Sequence, residues 1–300
     1  MTQEIPMQTR EKIKSIDILD IFKETKNSGK RIALAVEGGG LRGVVSAAML
    51  ALFEDLGLVD QIDSVSGTSA GAINLAYFLN KDMKSGLNLY KSLASPRFIQ
   101  PMAWPNAMNL NYLFEDQIPH HFPLPWEALR THPIHYYISV TEVSTGRGQW
   151  LKAQDAKSDG ELISYLRASA SAPLFTTNKE NISGKSYNDG QVEFSIPYHI
   201  FQKEHADVIF CLLTRPRHYQ KKKSFPSQLF ERLALRGYSA EYKQSFFNIT
   251  DNYNNDLETV FNSPHIIPLA LEPEDYIVSK MTKNPDDIQR CVDAVYKRFT

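Results

Sequence analysis

Two glycine-marked turns in the first quarter of the chain restrict its fold more than any other feature. The apolar run 31–36 ends in Glu37 and passes into Gly38-Gly39-Gly40-Leu41-Arg42-Gly43. Residues 43–56 then carry Val45, Met49, Leu52, Phe53 and Leu56 at helical spacing and stop at Gly57. An apolar run, a glycine turn and a helical period together read as a buried strand feeding a helix through a tight loop. The unit repeats at once. Residues 62–66 form a second short strand, Gly67-Thr68-Ser69-Ala70-Gly71 comes next, and 68–79 read as a helix rich in small residues. Strands alternating with helices predict an α/β fold on a parallel sheet.

The rest of the chain extends this pattern with one interruption. Residues 95–125 mix Pro96, Pro101, Pro105, Pro119, Pro123 and Pro125 with Phe98, Trp104, Tyr112, Phe114 and Phe122, which suits an irregular, apolar-lined excursion. Residues 134–140 and 148–151 return to strands, 161–170 read as a helix, and 183–187 lead into Asn188-Asp189-Gly190. Another buried strand covers 208–213. From 225 to 300 the chain reads mainly as helix. The break at 265–271 holds Ile266-Ile267-Pro268-Leu269, which fits an edge strand because proline cannot donate to a ladder. Residues 1–30 read as a polar lead-in with one amphipathic turn around Ile18, Leu19, Ile21 and Phe22. No repeat or low-complexity tract divides the chain after this lead-in. Residues 31–300 therefore read as one domain, motif-bearing over 31–197 and mainly helical over 225–300.

Composition removes several classes of function. A chain of 300 residues with 42% hydrophobic and 22% charged side chains can bury a sizeable core, so wholesale disorder is excluded. Its formal charge of −1 lacks the basic excess of a polyanion binder, which argues against nucleic acid as partner. Cys211 and Cys291 lie far apart without a CxxC, so neither a disulfide framework nor a zinc module is supported; Cys211 reads as a buried thiol. The longest mostly apolar stretch, 44–53, falls well short of the about 20 residues a transmembrane segment needs. The charged first 31 residues show no apolar signal-peptide core. The expectation is a soluble, cytoplasmic chain; the sequence is silent on secretion without such a signal.

Gly67-Thr68-Ser69-Ala70-Gly71 matches G-x-S-x-G, with a strand before it and a helix after it. In a nucleophile elbow the serine sits on a sharp strand-to-helix turn that exposes its hydroxyl, and the flanking glycines avoid collisions there. The glycine run 38–43 is the rarer object. Consecutive backbone N–H groups at a helix start suit an anion or an oxyanion. The spacing Gly38-x-Gly40-x-x-Gly43 also fits a dinucleotide fingerprint, but that fingerprint wants an acidic residue closing the second strand. Here that strand closes into the serine turn, and Asp63 precedes it. An oxyanion hole beside an exposed serine uses both features.

Asn188-Asp189-Gly190 alone is a common turn sequence, yet it offers a carboxylate to a serine in need of a base. The histidines offer no marked competitor. His120, His121, His132 and His135 lie in or near the proline-rich excursion, His218 falls in a basic loop, and His199, His205 and His265 belong to no local motif. Asp251-Asn252-Tyr253-Asn254-Asn255-Asp256 lacks the Gly and Glu that an EF-hand loop requires, and reads as a helix cap. No metal or cofactor is implied.

These motifs, in this order, resemble the patatin-like phospholipase family: the glycine hexad 38–43, the serine turn 67–71, then Asp189-Gly190. Arg167-Ala168-Ser169-Ala170-Ser171-Ala172-Pro173 is similar to the family's small-residue stretch ahead of the aspartate. The resemblance covers roughly residues 31–197. One departure is Gln191, where the family usually has Gly or Ala. The resemblance implies a three-layer α/β/α fold with a mainly parallel sheet and a Ser-Asp dyad without histidine. Ser69 would be the nucleophile and Asp189 the base, with the N–H groups of Gly38, Gly39, Gly40 and Ala70 as the oxyanion hole. Arg42, Gly43, Gly67, Gly71 and Gly190 would support the motifs.

It further implies phospholipid or lysophospholipid substrates met at a membrane surface. A soluble ester or thioester hydrolase on the same site, and a non-catalytic lipid-binding or regulatory protein, are the alternatives. Arg42 either braces its loop through a carboxylate or holds a lipid phosphate. The run Arg215, Arg217, Lys221, Lys222, Lys223 is a solvated loop or an attraction to anionic membrane. Residues 96–126 suit an acyl tunnel, a lid or ordinary core. Asp189 is expected to be desolvated and within hydrogen-bonding reach of Ser69.

Overall fold

A computed structural model describes residues 13–223, 232 and 235–300. Eight strands form one sheet: β1 (Ile32–Val36), β2 (Ser64–Thr68), β3 (His135–Glu142), β4 (Gly148–Lys152), β5 (Glu180–Ile182), β6 (Lys185–Asp189), β7 (Val208–Leu212) and β8 (Ile266–Leu269). Their order is β5-β6-β3-β2-β1-β7-β8, with β4 pairing β3. The five strands from β3 to β8 run parallel, while β4, β5 and β6 join antiparallel. Chain order reverses between β1 and β7, so their carboxyl ends open the crevice where α/β sheets bind ligands.

The principal helices are α1 (Ser15–Asn27), α2 (Val44–Asp55), α3 (Ala70–Leu79), α4 (Met83–Leu93), α5 (Asp159–Ala170), α6 (Ala240–Asn262) and α7 (Pro285–Phe299). Strand alternation assigns the two faces. Ile32, Leu34 and Val36 of β1 pack into the larger core with α1 to α5 and α7, whereas Ala33 and Ala35 meet α6 and the 196–201 segment. Helices thus cover both faces of a mostly parallel sheet, the three-layer α/β/α arrangement.

Three local readings change. The lead-in holds a full helix, α1, whose Phe22 is fully buried and stacks on Phe210 at 5.2 Å. Only Ile18, Phe22 and Thr25 of α1 are buried, so its polar majority hid the helix. Residues 251–256 lie inside α6 and cap nothing. Tyr253 and Asp256 are buried there, and Asn254 bonds both the N–H and the carbonyl of Lys221. The β2 strand starts at Ser64 and runs up to the serine, two residues later than the apolar run suggests. The expected elements at residues 1–12 and at 225–231, 233 and 234 lie outside the described residues. Among the described residues, no helix is long and apolar enough to cross a membrane.

Candidate active site

The site grows from the ends of β1, β2 and β6. Ser69 follows β2 directly and starts α3 with φ 56° and ψ −126°, a conformation that costs a non-glycine residue roughly 1–3 kcal/mol. Two close approaches hold it there. A Cβ on Gly38 would collide with the Thr68 carbonyl oxygen and come within 2.8 Å of the Ser69 Cβ. A Cβ on Gly71 would strike the Val36 carbonyl oxygen. The glycine loop and the serine turn therefore lie flush. Gly43, Gly67 and Gly190 sit equally tight against Tyr90, Ala72 and Ser139.

The loop is braced from behind. Buried Glu37 accepts from the Thr214 N–H at 2.6 Å and from the Tyr253 hydroxyl at 3.0 Å. Arg42 is buried with its Nη2 4.0 Å from Glu37, and its Nε donates to Thr214 Oγ1, which in turn donates to the Gly38 carbonyl. The guanidinium also lies against Gly39. On the helix side, the Asn74 amide donates to the Gly43 carbonyl and its oxygen accepts from the Tyr90 hydroxyl. Gly39 and Gly40 carry φ of 152° and 57°, which turn their N–H groups out of any ladder. Leu41 N–H is taken by the Lys280 carbonyl at 3.1 Å. Among the described residues, the N–H groups of Gly38, Gly39, Gly40 and Ala70 have no protein acceptor. All four residues line the cavity that Ser69 also lines.

Asp189 ends β6 and is 1% exposed. Its carboxylate accepts from the Gln191 N–H at 2.9 Å, its N–H donates to the Ser171 carbonyl, and its own carbonyl accepts from Thr141. Burial pushes its pKa up to about 6. The Gln191 N–H, the Ser69 hydroxyl and the Lys280 charge pull the other way. The small-residue stretch serves both partners, since Ser169 Oγ accepts the Ser69 N–H at 2.8 Å while Ser171 holds Asp189. Larger side chains would separate α5 from the turn.

One cavity is lined by Ser69, Asp189 and the glycine loop, and among the described residues no histidine lines it. Part of its wall comes from Leu89 and Leu93 of α4 and from Phe98, Met108, Leu110 and Leu113 of the 96–126 excursion. That excursion supplies apolar lining as well as core. Sequence reasoning did not place Lys280, Gln191 or Tyr253 at the site, although all three line the cavity. Gln191, the family departure, had a visible signal; its side chain accepts from Lys280 Nζ at 3.3 Å.

Residues 34–201 match the family described as patatin-like phospholipase. The chain is also similar to an uncharacterized protein of Escherichia coli (strain K12), YjjU, with 25% identity over 193 residues. That alignment covers 62% of this chain and 52% of the relative, so the chain spans about half the length of the curated relative it matches.

Proposed function

Because the chain belongs to the patatin-like phospholipase family of lipid acyl hydrolases, we propose that it cleaves carboxylic esters of phospholipids or lysophospholipids through a Ser69–Asp189 dyad. One observation carries this reading. A strained, half-buried serine, a buried carboxylate and backbone donors without a protein acceptor share one cavity that, among the described residues, no histidine lines. The Ser69 oxygen attacks the ester carbonyl while its proton passes to Asp189. The N–H groups of Gly38, Gly39, Gly40 and Ala70 hold the oxyanion, one such donor being worth about 3–4 kcal/mol of barrier. Collapse breaks the ester bond, and the departing alcohol takes the proton from Asp189. Water then attacks the acyl-enzyme, gives its proton to Asp189, and Ser69 regains it as the fatty acid leaves.

An ordinary aspartate is a weak base for a serine proton. Its burial supports the role, because a pKa near 6 leaves the carboxylate ionised at neutral pH yet more basic than a solvated one. Approach to a membrane surface is supported by the excursion that lines the cavity, where Met102 is 99% exposed and Trp104 41%. The test is fatty-acid release from mixed phospholipid and lysophospholipid vesicles. Ser69→Ala and Asp189→Asn should each lose about 10³-fold or more in activity with near-ultraviolet circular dichroism unchanged. Full activity in Asp189→Asn would overturn the dyad. Cleavage of short soluble esters alone would move the substrate away from lipids.

A further inference from the structure

The cavity is lined by cations that the dyad does not use. Arg42, Arg215, Lys221 and Lys280 line it against two carboxylates, Glu37 and Asp189. Glu37 is already engaged by Arg42, Thr214 and Tyr253, and Asp189 is the base. Neighbouring cations are neutralised locally: Arg217 lies 3.3 Å from Glu272 and Lys223 lies 2.6 Å from Asp251. Among the described residues, Arg215 and Lys280 have no carboxylate within 4.0 Å. Aromatic faces and one amide hold them instead. The Arg215 guanidinium stacks 4.2 Å over Tyr219, and Lys280 Nζ meets Gln191 Oε1 and sits 5.3 Å from the Phe175 ring centroid. Lys221 Nζ lies 5.6 Å from the Tyr253 ring. Arg215, Lys221 and Lys280 also line the adjoining cavity with Lys222 and Lys223, whereas Leu89, Leu93 and Phe98 do not. The cations therefore lie where the two cavities adjoin, a position that Leu89, Leu93 and Phe98 do not share.

We propose that Arg215, Lys221 and Lys280 form a phosphate subsite of this cavity, which selects acyl esters with an anionic phosphate headgroup, such as a lysophosphatidate, over neutral ones. The proposal rests on the hydrolase reading. A phosphate monoester carries about −1.5 to −2 charge near neutral pH, which complements Arg215 and Lys280, and it offers several acceptor oxygens to diverging donors. Burial and the repulsion of Arg42, Lys221 and Arg215 push the Lys280 pKa down to about 7, so an anion at this position relieves a cost the free protein bears. The acyl chain then takes the apolar wall, and the scissile ester lies between the two at Ser69.

Binding to Ser69→Ala protein, measured by calorimetry below the micellar concentration, tests this without turnover. Lysophosphatidate should bind at least about tenfold tighter than a monoacylglycerol with the same chain. Lys280→Met and Arg215→Gln should each bring that ratio toward one, while Lys81→Gln, an exposed cation paired with Asp60, leaves it unchanged. Inorganic phosphate should bind more weakly and be displaced by the lipid. Equal affinities for the two lipids, or a ratio indifferent to Lys280→Met and Arg215→Gln, would overturn the proposal. Phosphate that the lipid fails to displace would mark a free-ion site and overturn it too. A wild type that hydrolyses no ester would sink the hydrolase reading and leave the binding comparison standing.

Discussion

Asp189 occupies a position where ionisation is costly, and that cost has consequences that activity and stability share. The carboxyl titrates near 6 in the folded chain against 3.8 unperturbed, chiefly because burial strips its water. Between those values the native state binds more protons than the unfolded one. The contribution of Asp189 to stability therefore falls as pH rises from 3.8 through about 6, by of order 1–3 kcal/mol, and levels off above. Asp189→Asn removes the charge and keeps an oxygen for the Gln191 N–H. It should melt higher than wild type at about pH 8 while losing activity. A lower melting temperature there would contradict the burial argument. On a neutral short ester, kcat/KM should drop on the acid side around pH 6. Lys280→Met should move that limb to higher pH, since the lysine charge favours the carboxylate; a pH-rate profile of the two proteins decides it.

At the scale of elements, the loop after β1 and the turn after β2 act as one rigid piece because glycine at 38 leaves no gap between them. Gly38→Ala forces its methyl into the Thr68 carbonyl, and the loop must lift from the serine. The expected result is a loss of about 10²-fold in kcat with stability reduced by about 1–3 kcal/mol, read by kinetics and denaturant melts. These turns were legible in the sequence because their constraint is local: a positive φ and a carbonyl within contact leave few residue choices. Helix α1 was not. Its buried face is Ile18, Phe22 and Thr25, too sparse a stripe to stand out among charged neighbours, and Phe22 meets Phe53 and Phe210 only after folding. Phe22→Ala should cost about 3–5 kcal/mol in a urea titration, far more than a loose terminal segment would lose. Residues 251–256 show the converse: asparagines and aspartates that look like a cap lie within α6 because Asp256 faces His199 at 3.0 Å and Asn254 ties down Lys221.

For the whole molecule, the sheet order matters more than the motif-bearing stretch suggests. Both Ser69 and Asp189 lie inside the family-matched residues 34–201, yet the parallel neighbour of β1 on one side is β7, beyond that range. Thr214 and Tyr253, which brace Glu37, and Lys280, which takes the Leu41 N–H, also come from beyond it. A fragment ending at residue 201 would leave β1 as an open edge and remove α6 and α7 from their faces of the sheet. It should show no cooperative thermal transition by circular dichroism, whereas the full chain should. A cooperative melt of the fragment would show that the C-terminal third adds a wall to a domain already folded.

The α/β alternation, the serine turn, the glycine loop and the candidate aspartate could all be read along the chain. Each depends on residues adjacent in sequence, where steric limits on backbone dihedrals and the spacing of apolar side chains leave a local record. Three features arose only on folding: how Asp189 is stripped of water, which N–H groups lack a protein acceptor, and that Arg215, Lys221 and Lys280 line the same cavity as the serine. They come about where strands far apart in sequence bring their carboxyl ends to one crevice. Desolvation and charge repulsion are sums over neighbours that a linear chain does not yet have.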